Sequence, residues 1–181
     1  MGSGVRRLVL LTTGLGLLWS QPAPGQLSED AVKAAFLPRF IRYVTWPPPA
    51  APGSGEPFQL CVIGPDPFGR ALDRAAAGQE AEGHPVVVRR VRTPAEAGGC
   101  HLAFVGGSGA QATGRALAGL GRSPVLTVTD AQAGGQRGVI HFATVSGRVR
   151  FFIDDVEAAR RGLQISSRLM ALAVGVRERR R

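Results

Sequence analysis

The sequence predicts a single α/β domain: a mostly parallel sheet with an antiparallel hairpin at one edge and helices on both faces. Three observations predict it. Apolar, β-rich runs alternate with helix-like runs in the order strand, helix, strand, strand, helix, strand, which is layered α/β order. Two further β-rich runs, in "VIHFATVSGRVRFFID" (139–154), flank Thr-Val-Ser-Gly, which has the chemistry of a hairpin turn. Finally, 181 residues, 44% of them hydrophobic, suffice for one domain with a real core and not for two domains.

Residues 1–25 read as a secretory signal peptide. Arg6 and Arg7 precede the apolar run "LVLLTTGLGLLW" (8–19), and Ala23 and Gly25 are suitably small for a cut after Gly25. The run is short for a bilayer span, and the residues around the arginine pair fit the twin-arginine route poorly. The α/β domain then occupies 26–176 and a basic tail 177–181. Of the formal charge of +9, cleavage removes the two leader arginines and "RERRR" carries +3, so the body is only mildly basic. No aromatic residues interleave with the arginines, so a nucleic-acid surface is not indicated.

The first helix is expected from Ser28, a good N-cap, followed by Glu29 and Asp30 at the positive end of the dipole. Val32, Phe36, Phe40 and Val44 form its apolar stripe, with Phe36 and Phe40 read as core. Pro38 should kink it, and "WPPPAAPGSGEP" (46–57) makes a loop. "FQLCVIG" (58–64) is a strand. Asp66 and Pro67 suit the start of a short helix, "HPVVVRRV" (84–91) and "CHLAFVG" (100–106) are strands, and 108–121 is a helix. "SPVLTVTD" (123–130) is the fourth strand, the hairpin follows, and 154–174 closes the chain as a helix with a break at Gly162. Ile165, Leu169, Leu172 and Val176 are its expected buried stripe. Asp154, Asp155 and Glu157 cap its start.

Several motifs invite chemistry. Gly107-Ser108-Gly109-Ala110-Gln111-Ala112 matches G-x-G-x-x-A, and Asp130 ends the next strand, as in a dinucleotide fingerprint. Against this, the motif follows the third strand rather than the first, and little chain is left for a substrate domain. Ser108, Asp130 and His141 also follow the chain order of an α/β-hydrolase triad, although Ala110 replaces the last glycine of G-x-S-x-G. A nucleotide- or small-ligand-binding module and a small serine hydrolase therefore stand as alternatives to a plain turn. His84 and His101 have no evident partners in the sequence.

Cys61 and Cys100 are the two cysteines, and an even pair in an exported chain reads first as a disulfide. In the expected sheet the first and third strands can be neighbours, which would bring the two together. A metal site using the cysteines with His101 and His141 is the rival, but no ligand spacing supports it.

Several stretches together resemble the YfiR-like family of periplasmic regulators. They are "VKAAFLPRFIRYVTWP" (32–47), "FQLCVIGPDPFGRAL" (58–72), "CHLAFVGGS" (100–108), "PVLTVTD" (124–130), "GVIHF" (138–142), "RVRFFID" (148–154) and "GLQISSRLMALA" (162–173), in the family's order. The resemblance implies a non-enzymatic regulator without a cofactor, with Cys61 and Cys100 at a family disulfide. It implies binding to the periplasmic sensor region of an inner-membrane diguanylate cyclase, lowering cyclic-di-GMP and biofilm output. An outer-membrane peptidoglycan-binding lipoprotein would draw the regulator away, and a homodimer is compatible with the role. Ser166, Ser167 and Arg168, on a segment whose other side is apolar, are the candidate partner contacts. The chain departs from the family at Pro38, in its proline-rich loop, and in lacking cysteines for a second disulfide near the hairpin.

Overall fold

The computed structural model describes residues 28–107 and 109–179. The expected signal peptide, Ser108 and the last two arginines lie outside the described residues. Helix α1 (Glu29–Ile41) starts as expected: the Ser28 hydroxyl accepts the Ala31 amide at 3.2 Å. Its buried face, however, is Ala34, Leu37, Pro38 and Ile41 together with Phe40, while Phe36 is half-buried. A stripe spaced strictly by four drifts around a helix of 3.6 residues per turn, and Val44 lies beyond the helix end. The helix runs through Pro38, whose ring is on the buried side.

After β1 (Val44–Thr45) the proline-rich loop forms a 3₁₀ turn at Pro48–Ala50, closed by the Ala50 amide on the Pro47 carbonyl at 2.8 Å. Strand β2 (Phe58–Ile63) leads to α2 (Arg70–Ala76). Asp66 does not cap that helix. One of its oxygens accepts from the amides of Phe68 and Gly69, and the other takes the Arg90 Nε at 2.7 Å, so the helix starts only after Gly69. The short β3 (Glu80–Ala81), not foreseen, pairs with the start of β4 (His84–Val91). Strand β5 (Leu102–Val105), α3 (Ala110–Leu120) and β6 (Leu126–Thr129) follow, then the hairpin β7 (Ile140–Val145) and β8 (Arg148–Asp154). Its turn is Ser146-Gly147, both at positive φ (50° and 71°), as a tight hairpin turn matching strand twist requires.

The final segment departs most from expectation. In place of one broken helix it forms α4 (Asp155–Arg160), β9 (Gln164–Ile165), α5 (Ser167–Met170) and β10 (Gly175–Arg177). Gly162 has φ +74°, which ends α4, and β9 then pairs antiparallel with β1, Val44 opposite Ile165. Local helical pattern yields here to a long-range strand pair. The tail is tied down too: Arg177 bonds Asp154 at 2.9 Å and Arg179 bonds Asp155 at 2.7 Å. The foreseen domain end at 176 therefore falls inside β10.

The main sheet runs β10-β8-β7-β6-β5-β2-β4-β3. Strands β4, β2, β5, β6 and β7 are mutually parallel, and β8 returns antiparallel to β7. Alternate residues feed two cores, as the pleat dictates. Leu60, Val62, Leu102 and Phe104 join the core under α1 and α2. Cys61, Ile63, Ala103 and Val105 join the core under α3. Helices thus cover both faces, and β2 and β5 are neighbours as expected. The chain passes from β2 to β4 on one side and from β5 to β6 on the other, so the carboxyl ends of β2 and β5 mark the topological switch point.

Candidate functional site

Parallel α/β sheets bind ligands in the crevice outside the strand carboxyl ends, at the switch point. In this chain that crevice is divided by its own backbone. The Gly106 amide donates to the Ile63 carbonyl at 3.0 Å, and a Cβ on Gly106 would collide with the Pro65 carbonyl oxygen. The two loops therefore touch main chain to main chain. Of the cavities beside them, the one that holds Asp130 is about 120 Å³, below the roughly 300 Å³ at which small-molecule sites begin, and a separate one of about 390 Å³ lies on the α3 side against Gly64, Pro65 and Arg115.

The acid that a nucleotide would need is also committed. Asp130 is buried, and its carboxylate takes the Lys33 Nζ at 2.9 Å and the Gln132 amide at 3.0 Å. Lys33 also pairs with Glu29 at 2.8 Å. Burial works against the Lys33 charge, but the hydrogen bonds it donates to Glu29 and Asp130 outweigh it and hold the ammonium above its usual pKa. Asp130 thus bolts α1 to the end of β6 and offers no free carboxylate to a ribose.

The hydrolase reading loses its geometry at the same place. His141 shares its Nδ1 with the Thr129 hydroxyl at 2.9 Å, while Asp130 faces Lys33. Acid and base are each engaged elsewhere, and Ser108 lies outside the described residues. Burial lowers the pKa of His141, reinforced by the nearby Arg137 charge.

Cys61 and Cys100 are bonded to each other, with Cα atoms 5.9 Å apart, and among the described residues no cysteine is free. They cannot serve a metal, and no cluster of three metal-ligating side chains occurs among the described residues. The bridge ties mid-β2 to the residues just before β5. In the chain-entropy account, closing that loop stabilises the fold by about 4 kcal/mol. The two other histidines have partners after all. His101 Nδ1 accepts the Gln59 amide at 2.9 Å, and His84 Nδ1 lies 2.7 Å from the Glu56 carbonyl.

The segment with Ser166, Ser167 and Arg168 presents a surface. Ser166 is consumed structurally: its amide donates to the Tyr43 carbonyl at 2.8 Å, and its hydroxyl accepts from the Arg168 amide at 3.3 Å, capping α5. Ser167 and Arg168 are exposed, and Arg168 makes no ion pair among the described residues. Leu169 is buried and anchors the turn. Leu172, expected in the core, is 63% exposed, and Val174 is 44% exposed. Val176 is half-buried in β10. A free guanidinium and two apolar side chains thus share one short stretch at the margin of the sheet. Sequence reasoning missed Leu172 and Val174 because it counted them on a helix that stops at Met170.

No described helix is long and apolar enough to cross a membrane. Comparison with curated proteins gives no match. The YfiR/HmsC-like family profile (DUF4154) matches residues 30–174, from the first turn of α1 to the residue before β10. A family of periplasmic regulators accords with a chain that carries a disulfide and whose Asp130 and His141 are bound up in structural contacts. The chain belongs to the YfiR/HmsC-like family.

Proposed function

We propose that this chain binds the periplasmic sensor region of an inner-membrane diguanylate cyclase and represses it. Cyclic-di-GMP and biofilm output then fall, and an outer-membrane peptidoglycan-binding lipoprotein relieves the repression by drawing the regulator away. The observation that carries this reading is the family match across 30–174. The exposed stretch of Ser167, Arg168, Leu172 and Val174 supports it, because it joins a cation with no ion pair among the described residues to apolar area outside the core. Arginine beside apolar side chains is a composition favoured at protein interfaces. Ser166 contributes by holding the turn. The protein performs no chemistry in this reading and needs no cofactor.

The test is cellular cyclic-di-GMP with and without the gene in its own host. Deletion should raise it, and chain carrying its leader should restore it where leaderless chain does not. An unchanged level on deletion would overturn the proposal.

A further inference from the structure

A cavity of about 650 Å³ opens at the end of the sheet opposite the Gly106 turn, where β2, β5 and β6 begin. Its size falls inside the range of small-molecule sites, roughly 300–1,000 Å³. Pro49, Pro124 and Val125 give it apolar wall, and Glu56, Arg89 and His101 give it charge and hydrogen-bonding groups.

Arg89 stands opposite Cys61 in the β2–β4 register, which places its side chain on the disulfide face. Its Nη2 donates to the carbonyls of Glu96 and Gly98 at 2.9 and 2.7 Å and lies 3.3 Å from the Cys100 sulfur. Among the described residues no carboxylate pairs with it, its buried Nε has no partner, and its Nη1 makes no hydrogen bond. A guanidinium presents five donors, so this one is fixed by neutral acceptors and still short of an anion.

His101 is only 9% exposed and is held on several sides. Its carbonyl accepts the Leu126 amide at 2.8 Å and the Trp46 indole at 3.2 Å, and its amide donates to the Gln59 carbonyl at 2.9 Å. Because Nδ1 accepts the Gln59 amide, the neutral ring carries its proton on Nε2. Burial lowers its pKa, so the neutral form is favoured near pH 7. Nε2 makes no hydrogen bond among the described residues. Glu56 is the one carboxylate in the lining, and its Oε2 accepts the Gly53 amide at 3.0 Å. It would repel a dianion, whereas one unpaired guanidinium matches a single negative charge.

We propose that this cavity binds a small organic monoanion, a carboxylate joined to an apolar body, held by Arg89 and by the Nε2–H of His101. The site rests on its own geometry and not on the identity of any protein partner.

The test uses the exported chain with its disulfide intact, followed by amide NMR during titration with benzoate and, separately, with uncharged benzamide. Benzoate should give saturable shifts at Gln59, Gly98, Gly99 and His101, and benzamide should bind at least about tenfold more weakly, as expected for loss of a charge-assisted contact. Glu56→Gln keeps the acceptor for Gly53 and removes the repulsion, so it should tighten benzoate roughly twofold or more. Arg89→Gln should weaken it about tenfold. If that variant does not fold, the Glu56→Gln and benzamide comparisons decide alone. The proposal is overturned if those amides show no saturable shift up to tens of millimolar benzoate. Equal binding of benzamide, or a Glu56→Gln variant that binds no tighter, overturns it as well.

Discussion

The Lys33 ammonium lies 2.9 Å from the Asp130 carboxylate, with both side chains about 95% buried, across 97 residues of chain. Removing one member of a buried pair strands the other, at a typical cost of about 3–5 kcal/mol. Asp130→Ala should therefore lower the urea-unfolding free energy by about 3 kcal/mol. Glu29→Ala removes a half-exposed partner of the same lysine and should cost under about 1 kcal/mol. Equal effects would show that the buried contact has no special weight.

Reduction should destabilise the chain by about 4 kcal/mol, through release of the loop between Cys61 and Cys100. Urea midpoints with and without dithiothreitol measure it. Coincident curves, with thiols shown free by mass spectrometry, would contradict the prediction.

Two histidines set an acid limit. Burial lowers the pKa of both His101 and His141 below 6.5, so the unfolded chain binds protons that the folded chain refuses. Their stabilising contribution is complete above the unfolded value and is lost as pH falls through 6.5 toward the folded values. Melting temperature should decline over that window, and the two imidazoles should titrate below 6.5 by NMR. Midpoints at or above 6.5 would reverse the sign.

Two glycine substitutions should act in opposite directions. Gly106→Ala drives a Cβ into the Pro65 carbonyl and should cost about 2 kcal/mol or more. Gly114→Ala lies inside α3, where the nearest atom is the flexible Gln136 side chain at 3.5 Å, and should stabilise by about 0.5–1 kcal/mol. Thermal unfolding of the two variants separates them.

Under the proposed function, Arg168→Glu and Leu172→Glu should each abolish repression of the cyclase while moving stability by less than about 0.5 kcal/mol, because both side chains are exposed. Full repression by both variants would move the contact surface elsewhere.

The sequence revealed what is local. Ser146 and Gly147 announce the hairpin, Ser28 announces α1, and the apolar runs at 58–64 and 100–106 announce strands. It failed where distant chain decides. Residues 163–174 carry a helical pattern, yet Ile165 finds Val44 across the molecule and becomes strand, and Leu172 is left outside. Asp130 read as a nucleotide or triad acid because nothing local shows that Lys33 reaches it. The Arg89 and His101 cavity was equally hidden, since it exists only because β4, β2 and β5 lie side by side.

The bridge between Cys61 and Cys100 spans the part of the chain that makes α2, β3 and β4, the whole outer margin of the sheet on that side. Such a margin is ordinarily the first unit to open sub-globally, well below the free energy of complete unfolding. With both its ends fastened to the central strands, it loses that independent opening. Amide protons of β4 should therefore exchange only with global unfolding in oxidised protein. In reduced protein they should exchange earlier than those of β5 and β6, so the sheet would unzip from one side.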